Sequence, residues 1–141
     1  MIDKIEAETF IHESEDESKV KDAFLCIIPV KDLIVNEKNV SFGTRMKIIS
    51  CILTRKEEID EVIKNIRNKM DNISKENLER TIEDRIDNKG NLFLRFDKQK
   101  AFTKKVANLN AGDDCIFVKI HFRSSPSKKY KFIEEAKKVL L

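Results

Sequence analysis

From Cys115 to Arg123 the chain alternates without a break. Ile116, Val118, Ile120 and Phe122 fall in one set, and Cys115, Phe117, Lys119, His121 and Arg123 in the other. A period of two puts the two sets on opposite faces of an extended chain, so this segment reads as a strand with one face against a core. The pattern recurs where Ile5, Ala7, Thr9 and Ile11 alternate with Glu6, Glu8, Phe10 and His12, and where Leu92, Leu94 and Phe96 alternate with Phe93 and Arg95. Met46 to Leu53 is β-rich and nearly all apolar, which reads as a central strand.

Half-apolar strands need a covering layer, and the stretches between them supply helical stripes. Val20, Ala23, Phe24 and Ile27 recur at i, i+3, i+4 and i+7 before Pro29 stops the run. Ile59, Val62, Ile63, Ile66 and Met70 form a second stripe, Leu78, Ile82 and Ile86 a narrower third, and Phe132, Ile133, Ala136, Val139 and Leu140 a last one opened by Pro126. Ser14 with Glu17 and Thr54 with Glu57 have capping-box spacing, and Ser74 is placed to cap the third helix. Residues 97–102 allow a short helix, Lys105 to Leu109 a strand, and Leu33 to Phe42 a strand or a strand and loop. Gly43, Asn88-Lys89-Gly90 and the run from Asn110 to Asp114 punctuate. Strands joined by turns favour antiparallel pairing. The expectation is an α+β fold, a mostly antiparallel sheet with helices packed on one face.

The 141 residues make one domain, residues 1–141. Charged residues are 38% of the chain against a norm of about 25%, so the surface is heavily solvated around a modest core. No apolar run approaches the roughly 20 residues of a membrane span, and Met1 to Glu6 lacks the layout of a signal peptide. A cytoplasmic protein is expected. Cys26, Cys51 and Cys115 are far apart in apolar surroundings, without zinc-ligand spacing to His12 or His121. They read as buried thiols.

Charge is unevenly spread. Residues 1–30 carry eight acids and three bases, whereas residues 95–131 carry ten bases and three acids. Such a split points to a polyanionic partner. No phosphate-cradling glycine loop, HExxH or GxSxG motif occurs, and the acidic run Glu15-Asp16-Glu17 is accounted for by a helix start. No catalytic residue, metal site or cofactor is expected. The basic stretch is more informative. Lys119, His121 and Arg123 share a strand face with Phe117, a combination with which RNA-binding modules stack bases and hold phosphates. Arg95, Lys98 and Gln99, at the exit of the preceding strand, suit phosphate and sugar contacts, although Asp97 also serves as a simple helix cap.

Two segments resemble a known family. Phe10-Ile11-His12-Glu13-Ser14-Glu15-Asp16-Glu17-Ser18-Lys19-Val20 is similar to "F-x-H-A-T-E-D-E-x-K-V", and Asn91-Leu92-Phe93-Leu94-Arg95-Phe96-Asp97-Lys98-Gln99-Lys100-Ala101 to "N-L-Y-L-R-F-D-K-Q-A-A". Both are signatures of an archaeal family described as RNA-binding proteins and predicted exosome subunits. Glu13 and Lys100 stand where the family has Ala, and Val40-Ser41-Phe42-Gly43-Thr44 replaces its Gly and His before the central strand. The resemblance implies a small α+β fold like that of the ribosomal protein that holds 5S RNA, and RNA binding without catalysis. Phosphates would then fall to Arg95, Lys98, Lys104, Lys105, Lys119, Arg123, Lys128 and Lys129, with Gln99 bonding sugar or base. The expected role is an accessory factor of an archaeal RNA-processing or exosome-like assembly, with RNA and protein subunits of such a complex as partners. The alternative is a protein-interaction subunit that never touches RNA.

Overall fold

A computed structural model describes residues 1–39, 45–110, 112–123 and 128–141. In chain order the elements are β1 (Ile2–His12), α1 (Glu17–Ile27), β2 (Ile34–Asn39), β3 (Arg45–Leu53), α2 (Lys56–Lys69), α3 (Asn72–Arg85), β4 (Asn91–Asp97), α4 (Lys98–Thr103), β5 (Cys115–Phe122) and α5 (Lys129–Leu140). The strands form one sheet in the order β2-β3-β1-β5-β4, and every neighbouring pair is antiparallel. This is the α+β class expected from the alternation.

β1 is central because it is long enough to pair β3 along one side and β5 along the other. Its register puts Ile5 beside Leu53 and Ile120, and Ala7 beside Cys51 and Val118. With Leu92, Leu94 and Phe96 of β4 these residues form one buried face, closed by Phe24 and Ile27 of α1, Ile59, Val62 and Ile66 of α2, Leu78 and Ile82 of α3 and Phe132 and Ala136 of α5. Phe24, Phe96, Phe122 and Phe132 are among the fully buried side chains, each contributing about 1.5–3 kcal/mol of hydrophobic stabilisation. Among the described residues, helices cover only this face.

The helix starts differ from the spacing-based expectations. Asp16, not Ser14, caps α1, accepting from the Ser18 and Lys19 amides at 2.9 and 3.3 Å. Ser14 lies in a turn closed by Glu15 N–H on His12 C=O, and the Glu15 carboxylate accepts from the His12 amide, so no box forms. Arg55 occupies the cap position of α2 without a side-chain bond, so the Thr54 box is not made. Asp71 caps α3, and Ser74 lies inside that helix with its hydroxyl accepting from the Leu109 amide. At the other turns, Asp97 caps α4 through the Lys100 amide, and Gly90 adopts φ +88°. A Cβ on Gly90 would lie 2.5 Å from the Phe122 carbonyl oxygen.

Lys105 to Leu109 is not a strand. Lys105 turns the chain at φ 55°, and the segment then spreads its hydrogen bonds over α2, α3 and β4, leaving a single bridge between Phe96 and Leu109. β3 lies one place from the sheet edge instead of at the centre. Its continuous apolar character reflects a second, uncovered apolar face. The expected breaks at Gly43 and Pro126 lie outside the described residues.

Candidate nucleic-acid interface

The uncovered face is set by the same alternation that builds the core. It carries Phe93 and Arg95 from β4, Phe117, Lys119 and His121 from β5, Lys4, Glu6, Glu8, Phe10 and His12 from β1, Ile48, Ser50 and Ile52 from β3, and Ile34 from β2. Register pairs Phe93 with Lys119, Arg95 with Phe117, and Phe117 with Glu8. The three phenylalanines therefore run obliquely across three strands. Phe10 and Phe117 meet edge to face, ring centroids 6.2 Å apart and planes at 79°. The Arg95 guanidinium lies 5.3 Å from the centroid of Phe117, a cation–π contact worth about 0.5–1 kcal/mol at an exposed site. Phe93 is 47% exposed, unusual for a large apolar ring.

Part of this face forms a groove of about 570 Å³ whose walls include Glu6, Glu8, Ser50, Ile52, Phe93, Arg95, Phe117 and Lys119, with Phe10 beyond its rim. Its cations are held lightly. Lys119 pairs with Glu6 at 3.3 Å, and Arg95 reaches Asp113 at 3.6 Å and the Gly112 carbonyl at 3.4 Å. Exposed pairs of this kind contribute about 0–1 kcal/mol and exchange readily for another anion. Burial alone would raise the Glu6 carboxyl, but the hydrogen bond and charge of Lys119, helped by Lys4, hold it below the usual carboxylate range.

The other expected contact residues, Lys98 apart, lie in two further places. Gln99, Lys104 and Lys105 belong to the surface formed by α4 and α1, where Lys105 and Lys19 bracket the Phe102 ring at 5.0 and 5.9 Å. Arg123, Lys128 and Lys129 lie at the opposite end, at the exit of β5 and the start of α5, where the helix dipole adds positive potential. Only Arg95 and Lys119 belong to the groove.

Lys98 requires a correction. It is 2% exposed, and its ammonium donates to the Phe10 carbonyl at 3.0 Å, to Glu15 at 2.9 Å and to Asp114 at 2.7 Å. Three donors meet three acceptors, so nothing remains to offer a phosphate. Sequence counted it as a surface base because Glu15 and Asp114 are distant in the chain. The same cluster bears on metal chemistry. Ligand atoms of His12, Glu15 and Asp114 lie within 4.8 Å of one another, but the Lys98 ammonium already supplies their cation. Burial would raise the Asp114 carboxyl, yet Lys98 and then His12 hold it below the ordinary aspartate range.

The two histidines do not meet. β1 and β5 are neighbours, but His12 is at the end of β1 near Asp114 and His121 pairs with Asp3 at the other end, 2.5 Å from its carboxylate. Sequence reasoning missed Phe10 and Phe93 as partners of Phe117. Alternation had put all three on polar faces, but only the pairing of β1, β5 and β4 brings them together.

Comparison with known proteins places the whole chain in a family. A family model described as RNA binding matches residues 4–122. An RNA-binding protein of Pyrococcus abyssi is 28% identical over 96% of this chain and 92% of its own length. An uncharacterized protein of Methanocaldococcus jannaschii is 32% identical over 96% of this chain and 95% of its own. The crystal structure of a protein from Archaeoglobus fulgidus superposes with a TM-score of 0.85 at 31% identity, covering 99% of each chain. The family match runs from within β1 to the last residue of β5, taking in every strand that builds the groove, and the chain belongs to this RNA-binding family.

Proposed function

We propose that this protein binds RNA without catalysis, through the uncovered face of its sheet, as an accessory factor of an archaeal RNA-processing or exosome-like assembly. The observation that carries the reading is the oblique row Phe93, Phe117 and Phe10 with Arg95 over the central ring and Lys119 beside the exposed one. Rings on a sheet offer stacking surfaces for bases, and flanking cations attract phosphates. The name of the Pyrococcus abyssi relative supports the same reading. Arg95 and Lys119 act as the groove's phosphate contacts. Arg123, Lys128 and Lys129 extend the positive field at one end of β5, and Gln99, Lys104 and Lys105 offer a separate contact on the α4 surface.

The test is fluorescence anisotropy with a labelled RNA hairpin bearing a single-stranded tail, over a series of salt concentrations. Affinity should fall linearly on a log–log plot as counterions are released. Arg95→Ala and Lys119→Ala should each weaken binding and reduce the slope by about 1. Absence of any salt-sensitive binding at low ionic strength would remove this reading.

One observation favours protein docking as a second role. Ile34 is 58% exposed on the edge strand β2, outside the lining of the groove that holds Arg95 and Lys119. Ile34→Glu should leave RNA affinity unchanged if that edge serves a protein partner; weakened RNA binding would instead assign the edge to the RNA surface.

A further inference from the structure

Two carboxylates stand in the middle of a surface read as a binder of polyanions. Glu6 and Glu8 project into the groove between the aromatic rings and Ser50. Phosphate is repelled there, so whatever rests on Phe117 and Phe93 is the uncharged part of a nucleotide, with its phosphates displaced toward Arg95 and Lys119. A duplex cannot satisfy this arrangement, because its bases are stacked on one another and its outer surface is phosphate and sugar. The groove is built for unpaired bases.

The carboxylates differ in availability. Lys4 and Lys119 both pair with Glu6, at 3.5 and 3.3 Å. Arg95 is engaged with Asp113. Glu8 is exposed and has no ion pair among the described residues, although it lies directly across from Phe117 on one side and Ser50 on the other. A carboxylate only accepts hydrogen bonds. Beside a ring that stacks a base, it therefore rewards a base edge that donates. Cytosine presents an exocyclic amino group to such an acceptor. Uracil presents carbonyl oxygens on both sides of its single N–H, and these repel a carboxylate.

We infer that the groove selects unpaired RNA bases bearing an exocyclic amino group over uracil, and that Glu8 makes the selection by accepting from that amino group. This rests on the RNA-binding reading. Cytosine and uracil are the decisive comparison, since the two pyrimidines match in size and differ at the amino-for-carbonyl exchange and the ring N–H that goes with it.

The experiment measures anisotropy of labelled oligocytidine and oligouridine eight-mers against wild-type protein and Glu8→Gln, with the hairpin RNA as a further arm. Wild type should prefer oligocytidine by about tenfold, the scale of one well-placed base contact. A glutamine side chain both donates and accepts, so Glu8→Gln should reduce that preference to about twofold or less, at an unchanged melting temperature. It should also tighten oligouridine binding, and more so than hairpin binding. Equal binding of the two oligomers by wild type, with hairpin binding intact, overturns the selection and leaves the RNA-binding reading standing. A preference that survives in Glu8→Gln overturns the role of Glu8. Failure of all three RNAs to bind overturns both the inference and the reading under it.

Discussion

Replacing Lys98 by methionine separates structural from RNA-contacting roles in the basic stretch. The substitution keeps an unbranched side chain, one atom shorter, and removes the ammonium of a residue that is 2% exposed. It leaves the Phe10 carbonyl, Glu15 and Asp114 without their shared donor. Stranding the partners of a fully buried ion pair costs about 3–5 kcal/mol. Here the carboxylates are closer to water, their side chains 19% and 53% exposed, so the cost falls to about 2–3 kcal/mol. With an unfolding entropy of about 2.1 cal/mol/K per residue, that lowers Tm by about 7–10 °C. Lys104→Met, at an exposed position on the α4 surface, serves as control and should stay within about 0.5 kcal/mol of wild type. Thermal unfolding followed by circular dichroism reads both. Unchanged Tm in Lys98→Met, together with weakened RNA binding, would refute the buried-cation argument and return Lys98 to the contact surface.

The same cluster sets an acid dependence. Asp114 has a lowered carboxyl in the folded chain, so its contribution is complete above the ordinary aspartate value of about 3.9 and is lost as pH falls through the lower folded value. The Tm difference between wild type and Asp114→Asn should therefore be largest near neutral pH and shrink below about pH 4; a difference that grows with acid would reverse the sign. Gly90→Ala should cost about 2–4 kcal/mol in urea unfolding, since a positive φ costs about 1–2 kcal/mol for other residues and the new Cβ meets the Phe122 carbonyl at 2.5 Å. A neutral result would mean the turn relaxes. Cys51 and Cys115 are both pushed up to about 11, chiefly by burial. Iodoacetamide at pH 8 should leave both unmodified in the native protein and label them after denaturation, as read by peptide mass; rapid native labelling would contradict the packing.

Local patterns in the sequence expose the faces of β1, β4 and β5, because each has one side against the core and period two reports that directly. The same pattern misplaces β3. Ile48 and Ile52 make its uncovered side apolar, so Met46 to Leu53 looks like a strand buried on both faces. Helix existence is legible from the stripes, and Asp97 caps α4 as its position suggests, but the caps of α1, α2 and α3 are not legible. Asp16 and Asp71 win over Ser14 and Ser74 because Glu15 is drawn to His12 and Lys98, and Ser74 is drawn to Leu109. The site is legible only in part. Phe117 and Lys119 are visible as one strand face, whereas their neighbours Phe10, Glu8, Phe93 and Arg95 arrive through register between strands far apart in the chain. Counting bases from Arg95 to Lys131 treats all ten alike, yet burial silences Lys98, and topology sends Lys104 and Lys105 to one end and Arg123, Lys128 and Lys129 to the other.

The most direct test of the sheet as RNA surface is a map of backbone amide shifts by NMR during titration with a short single-stranded RNA. The largest changes should fall on Glu8 and Phe10 of β1, Phe93 and Arg95 of β4, and Phe117 and Lys119 of β5, with little change along α2 and α3. Changes concentrated instead on α1 and α4 around Gln99, Lys104 and Lys105, or at Arg123, Lys128 and Lys129 with the groove silent, would contradict it.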